Sequence, residues 1–416
     1  SPQAEVSRAG AQKLLIRDRG ASALRSDAFV MRHRLLAPIA ATVTLASAAS
    51  AQSARWETGG EVAGYGDSDH VWVLTPSARA QVRAGGFDAQ ASYLVDIVSA
   101  ASVDIVSTAS PRWNEVRHAA TLGAGYKPGD LGASATLATS VEPDFVSARF
   151  GLSTSADLAR KNVTLSLGYA YEHDVAGRTG TPYSVYALKL DRHEIAASAL
   201  VVVGRATTLT PALDLSFDSG RQEKPYRFLP LFSAAVAPQV PVAAAIDDVN
   251  RARLPGRIGE RLPETRQRAA ASLRLAHRFR ASTLTLLDRV YTDSWGQLAN
   301  TTDLKWTFEL SRRWSVWPHL RYHEQTGVSF WRRAYVGQVT AGQVVAPEYR
   351  SGDRELSPLR TLTVGPGVAF DFGSPEPRAL SAALEIEGAS TRFRDALYID
   401  HRWAGFAVAS FTARFE

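Results

Sequence analysis

The chain has 416 residues, with 47 Lys and Arg against 41 Asp and Glu, a formal charge of +6 and no cysteine. Residues 1–51 hold 7 of the basic and 3 of the acidic side chains, so the rest has 40 against 38, and a nucleic-acid partner loses its main support. A disulfide framework is excluded, and no stretch offers the 18 uninterrupted apolar residues of a helical membrane span.

Residues 1–30 show no pattern and read as an upstream extension, set aside from the fold. The only methionine, Met31, opens MRHRLLAPIAATVTLASAASAQ. Arg32 and Arg34 make a positive start, and Leu35 to Leu45 is an apolar run too short to cross a bilayer as a helix. Ala49-Ser50-Ala51 then has the small-residue cleavage pattern before Gln52. Residues 31–51 are expected to be a cleaved signal peptide, and 52–416 the exported protein.

From there the chain alternates with period two. In NVTLSLGYAYE, Val163, Leu165, Leu167, Tyr169 and Tyr171 share one face, with Asn162, Thr164, Ser166, Gly168, Ala170 and Glu172 on the other. TLTPALDLSFD sets Leu209, Leu213, Leu215 and Phe217 against Asp214, Ser216 and Asp218. TDLKWTFELS sets Leu304, Trp306, Phe308 and Leu310 against Asp303, Lys305, Thr307 and Glu309, and LSAALEIEG sets Leu380, Leu384 and Ile386 against Glu385 and Glu387. Strands of soluble sandwiches run about 5–6 residues. These run about ten or more, the length that crosses a bilayer at a tilt. Trp72, Tyr169, Tyr171, Trp306, Trp314, Trp317 and Trp403 fall near strand ends, where interfacial girdles belong.

Sixteen strands are predicted, near 57–66, 69–83, 86–98, 112–126, 131–141, 143–155, 161–174, 186–203, 206–218, 264–280, 282–294, 299–312, 314–327, 358–372, 377–390 and 402–416. Tight connections at 84–86, 127–130, 155–161, 204–205, 280–282 and 373–377 alternate with a set that includes every long one: 98–111, 174–185, 219–263, 328–357 and 391–401. Short turns on the periplasmic side and long loops outside are the pattern of outer-membrane barrels. The expected fold is all-β: a transmembrane antiparallel up-and-down β-barrel of about 16 strands, or 14 or 18 if a hairpin is missed or merged. The last strand, FAVASFTARFE, has the alternating aromatic pattern read by the barrel-assembly machinery, although Glu416 follows Phe415.

A lumen of this size is too wide for side chains alone to fill, so it is a water channel or is plugged by loops. Three consecutive strands carry charges on one parity: Arg289, Tyr291 and Asp293; then Asp303, Lys305 and Glu309; then His319, Arg321 and His323. Such a ladder either sets pore size and selectivity or is a paired, purely structural stiffener. The tandem VDIVSAASVDIVSTAS at 95–110 places Asp96 and Asp104 on one face, two carboxylates at the pore mouth. They either narrow the mouth or simply cap turns. In loop 219–263, Pro and small residues argue against a compact unit. Its Arg227, Arg251, Arg253, Arg257 and Arg261 suit anions in the lumen or lipopolysaccharide at the rim, unless the loop is a mobile surface segment. His319, His323 and Glu324 fail as a metal site because the carboxylate points to the other face. No nucleophile, zincin or phosphate-loop motif is present, so no enzyme, cofactor or metal is expected.

SYLVDIVSAAS, STASPRWNEVRH, SVEPDF, KPYRFLP, LPETRQR, RVYTDSWG, PHLRYHEQTGVSFW and SGDRELSP, in that order, resemble an uncharacterised family of Gram-negative outer-membrane proteins classed as a domain of unknown function. Positions matching its pattern include Tyr93, Asp96, Ser110, Pro111, Glu115, Arg117, Glu142, Asp144, Pro225, Tyr226, Arg227, Arg289, Tyr291, Asp293, Trp295, Arg321, Tyr322, Gln325, Asp353 and Leu356. The eight-residue duplication departs from the family, whose first unit is more Gly-rich. The resemblance implies an outer-membrane barrel of no established activity. It also implies a setting beside a small lipoprotein, a periplasmic thioredoxin-like protein and a flavin transferase.

The expected protein is therefore a porin-like channel in the outer membrane of a Gram-negative bacterium, passing small polar solutes amid lipid and lipopolysaccharide. Its pore-lining or mouth residues are Asp96, Asp104, Arg117, Glu142, Asp144, Arg227, Arg289, Tyr291, Asp293, Lys305, Glu309, His319, Arg321, His323 and Asp353. The alternative is a non-conducting scaffold or partner-binding barrel in an envelope redox or flavin-linked assembly.

Overall fold

The computed structural model describes residues 54–100, 113–340, 343–373 and 379–415. The expected signal peptide and the second repeat unit with Asp104 lie outside the described residues.

Sixteen strands form the wall: β1 (Arg55–Asp67), β2 (Trp72–Ala84), β3 (Phe87–Ala100), β4 (Trp113–Tyr126), β5 (Leu131–Glu142), β6 (Phe145–Leu158), β7 (Val163–Ala176) and β8 (Leu188–Gly204). They continue with β9 (Thr207–Gly220), β10 (Thr265–Arg278), β11 (Ser282–Asp293), β12 (Leu298–Glu309), β13 (Trp314–Gln325), β14 (Leu359–Asp371), β15 (Ala379–Phe393) and β16 (His401–Phe415). Each pairs antiparallel with its neighbours in sequence, and β1 closes on β16 from Trp56↔Phe415 to Asp67↔Ala404. The sixteen predicted strands are all present, within a few residues of their expected ends. The shortest have 12 residues. At about 3.3 Å each and a tilt of about 40°, these rise about 30 Å, enough to cross a hydrocarbon core.

Alternation and register together decide the two faces. Leu165, Leu167, Leu213, Phe217, Trp306, Leu320, Leu362, Leu384 and Ile386 all face outward and are exposed. Aromatics ring the turn end, where Phe279 meets Trp306 at 6.4 Å and Trp314 meets Phe370 at 4.6 Å between ring centres. Trp317 corrects the expected girdle. Its odd parity turns it inward, where it is buried against Gly367, opposite it on β14.

The long loops also depart from expectation. Loops β9–β10 and β13–β14 are folded together rather than loose. Leu231–Phe232 pairs in parallel with Tyr335–Val336, and Phe228–Leu229 pairs with Ile258–Gly259. A short helix, α1 (Ile246–Ala252), places Val249 in a core with Phe232, Ala237, Val240 and Ala244. The reading of Pro and small residues failed because this core is shared: Ala334, Leu397 and Tyr398, from two other loops, complete it.

Candidate functional site

The barrel lumen is lined by inward positions, and their charges form a belt of ion pairs from β6 to β11, linked from Arg149 through Arg268. Arg149 reaches Glu172 at 3.3 Å and Glu194 at 2.5 Å. Arg192 then joins Glu172 at 3.0 Å to Asp218 at 3.1 Å, and Arg268 contacts the same Asp218. Arg289 lies 3.1 Å from Asp214, and Arg266 grips Asp293 while its guanidinium sits 4.1 Å from the Trp295 ring. Alternation explains the belt: with apolar side chains on the outward parity, Glu172, Arg192, Asp218 and Arg268 fall on the other and point inside, where only another charge or water can satisfy them.

A second cluster lies on β12 to β15. His319, buried, has Nδ1 2.5 Å from Glu387 and Nε2 2.9 Å from Asp303. Lys305 sits 4.1 Å from the centre of the Trp317 ring. Donor atoms of His319, Glu385 and Glu387 lie within 4.8 Å of one another, as do those of Glu115, Glu142 and Asp144. In the first trio both imidazole nitrogens already face carboxylates, so a cation would have to displace them.

The loop end of the barrel carries a cap. Tyr226, from loop β9–β10, donates to Asp144 at 3.0 Å and accepts from the Thr179 backbone at 2.6 Å. The same loop donates from Ala243 and Ala244 to the carbonyls of Ala396 and Leu397, in loop β15–β16. Asp144 lies in hairpin β5–β6, ten strands away from β15–β16 one way and six the other, so this loop runs as a chord over the opening. Loop β13–β14 completes the cover: Arg354 meets Asp69 at 2.5 Å, and Glu355 accepts from Arg402 at 3.0 Å. Arg227 holds the two large loops together, 2.7 Å from Asp353 and 3.4 Å from Glu260. Burial works against the Asp353 charge, yet Arg227 and Lys224 hold its carboxyl below the usual carboxylate range.

The structure thus brings several expected residues together and separates others. Arg289, Tyr291 and Asp293 line the lumen on β11, and Tyr291 donates to Asp293 at 2.8 Å. Arg289, Thr301 and His323 are consecutive register partners, with Thr301 Oγ1 2.8 Å from His323 Nδ1. Arg321 also faces inward, opposite Asp303. Asp96 is no free carboxylate at the mouth: it is buried in the wall, bound by Arg117 and Thr75, each at 2.5 Å. Glu309 stands apart from the ladder, exposed at the turn end with Arg278. Arg227 and Asp353 belong to the cap, not to the wall. The Arg149–Arg268 part of the belt went unnamed in the sequence reading, although Glu172, Asp214 and Asp218 stood on the polar side of the quoted strands.

A family described as a protein of unknown function (DUF3570) matches residues 102–385. The chain belongs to this family. The match agrees with the resemblance carried by the motifs, and Tyr93 and Asp96 lie ahead of it. No curated protein matches the chain. Among solved structures it is similar to a bacterial polysaccharide outer membrane secretin, at 10% identity over 87% of this chain and 98% of that one, with a TM-score of 0.46. It is also similar to OccK5 (OpdH) of Pseudomonas aeruginosa, at 9% identity over 88% and 99%, with a TM-score of 0.40. The siderophore receptor PirA from Acinetobacter baumannii shares 8% identity over 88% and 80%, with a TM-score of 0.40. Likeness at this level concerns the barrel fold alone.

Proposed function

We propose that this family member is an outer-membrane barrel that lets small polar solutes pass, without chemical change, through a charged lumen beneath a folded loop cap. The observation that supports this is the belt from Arg149 to Asp293, a polar inner wall opposite an apolar outer one. A wall of fixed, alternating charge favours hydrated polar solutes over apolar ones and screens by charge and size. Proteoliposomes holding the folded chain test it, in sugars and amino acids of increasing size. Swelling that falls with solute size supports passage, and rates equal to protein-free vesicles overturn it.

One observation favours a second reading. The cap has apolar cores of its own, including Phe232, Phe393 and Val249, and spans the mouth from Asp144 to Ala396. A covered mouth suits a non-conducting barrel that presents its loops to a partner, in an envelope redox or flavin-linked assembly with a small lipoprotein or a thioredoxin-like protein. Capture of such a partner by chemical crosslinking in the native envelope, together with absence of swelling, distinguishes this reading from the first.

A further inference from the structure

The outward face carries a different charged arrangement, at the loop end of β13 to β16. Across these strands the register reads Glu324↔Arg360, Arg360↔Arg392 and Arg392↔His401. Arg360 and Arg392 are both exposed and stand directly opposite one another. Like charges in that position repel, and a sheet would ordinarily avoid them. Arg394, also exposed, adds a third guanidinium, and it lies 2.5 Å from Glu324.

The row directly beneath is of another kind. Two residues deeper on each strand lie Tyr322, Leu362, Ser390 and Trp403, again consecutive in register. Leu362 is 45% exposed and Trp403 62%. Two residues of strand amount to about 7 Å. The Arg360–Arg392 pair, flanked in its row by Glu324 and His401, therefore sits about one headgroup above exposed Leu362 and Trp403, on the wall that faces lipid.

We infer that this face is a seat for a doubly phosphorylated glycolipid, the lipid A of an outer leaflet. Its phosphates engage Arg360 and Arg392, and its acyl chains lie against Leu362 and Trp403. Guanidinium groups bind phosphate through paired hydrogen bonds. Two facing arginines, with Arg394 beside them, suit a headgroup carrying two phosphates better than a phospholipid with one phosphodiester. The bound anion also removes the repulsion between Arg360 and Arg392. The inference rests on the outer wall facing a membrane, and it holds whether or not the lumen conducts.

Native mass spectrometry of the full chain in detergent tests it, titrating bisphosphoryl lipid A with phosphatidylglycerol as competitor. One retained lipid A molecule is expected, and phosphatidylglycerol at equal concentration should not displace it. Arg360→Gln with Arg392→Gln should weaken binding about tenfold or more, the scale of one lost charge-assisted hydrogen bond. Where that double variant fails to show the heat-shifted gel migration of a folded barrel, the two single variants carry the same test, each with a severalfold loss. Unchanged binding by folded variants overturns the site, and equal displacement by phosphatidylglycerol overturns lipid A as its ligand. A chain soluble without detergent would contradict the membrane reading itself, whereas a detergent-dependent barrel that ignores lipid A contradicts only this site.

Discussion

His319 and Glu387 stand two strands apart, yet their side chains meet at 2.5 Å, because the residue between them in register is Gly365. A methyl group on Gly365 would lie 2.0 Å from the Ile386 carbonyl and 2.8 Å from the Glu387 side chain. Gly365→Ala should therefore lower folding yield and reduce unfolding free energy by about 1–3 kcal/mol or more, the range typical of overpacking, seen as an earlier urea midpoint. Gly388→Ala, where nothing lies within 4 Å, should be tolerated. Equal midpoints for both variants would contradict this account of the close approach.

Removing the imidazole should be costly as well. His319→Ala leaves the Asp303 and Glu387 carboxylates without the group that both of them contact. Breaking a buried ion pair on one side costs about 3–5 kcal/mol. Equilibrium unfolding in detergent checks it; a loss below about 1 kcal/mol would show that water or another cation replaces the ring.

The exposed part of the belt should act on ions rather than on stability. Arg289 and Asp214 are each 44% exposed in their side chains, and such pairs contribute about 0–1 kcal/mol. In a conducting barrel, Arg289→Ala should move the reversal potential in a salt gradient toward cation preference, and Asp214→Asn toward anion preference. Both should fold like the parent. Shifts of the same sign would separate the belt from selectivity.

The cap should respond to acid. The Asp353 carboxyl titrates below the usual carboxylate range in the folded loops. Its contribution is therefore complete above the unfolded value of about 3.9 and is lost as pH falls through the lower folded value. Limited proteolysis of loops β9–β10 and β13–β14 should stay slow from neutral pH down to about 4, then accelerate. Asp353→Asn should cleave fast at neutral pH. Cleavage that rises between pH 7 and 5 points to a group other than Asp353.

How much of this was legible in the sequence depends on the range of the interaction. The wall was, because strand parity is a local signal: Leu213 and Asp214 announce opposite faces without any partner being known. Strand number followed from turns such as Gly204-Arg205, which need no tertiary context. The pairing of charges was not legible, since Arg149 finds Glu194 and His319 finds Glu387 only through register across intervening strands. The cap was misread for the same reason. Phe232 and Val249 are buried by Ala334 and Leu397, residues that loop composition treats separately. Trp317 shows the finer limit: a tryptophan near a strand end suggested a girdle, while its parity had already placed it inside, over Gly367.

The central claim, a lumen that passes small polar solutes, is tested most directly by single-channel conductance of the folded chain in a planar bilayer, with and without Arg227→Ala. The account predicts reproducible conductance steps, larger or longer-lived once the Arg227–Asp353 contact that joins the two cap loops is removed. A heat-shifted, folded barrel that gives no steps in either form would contradict it.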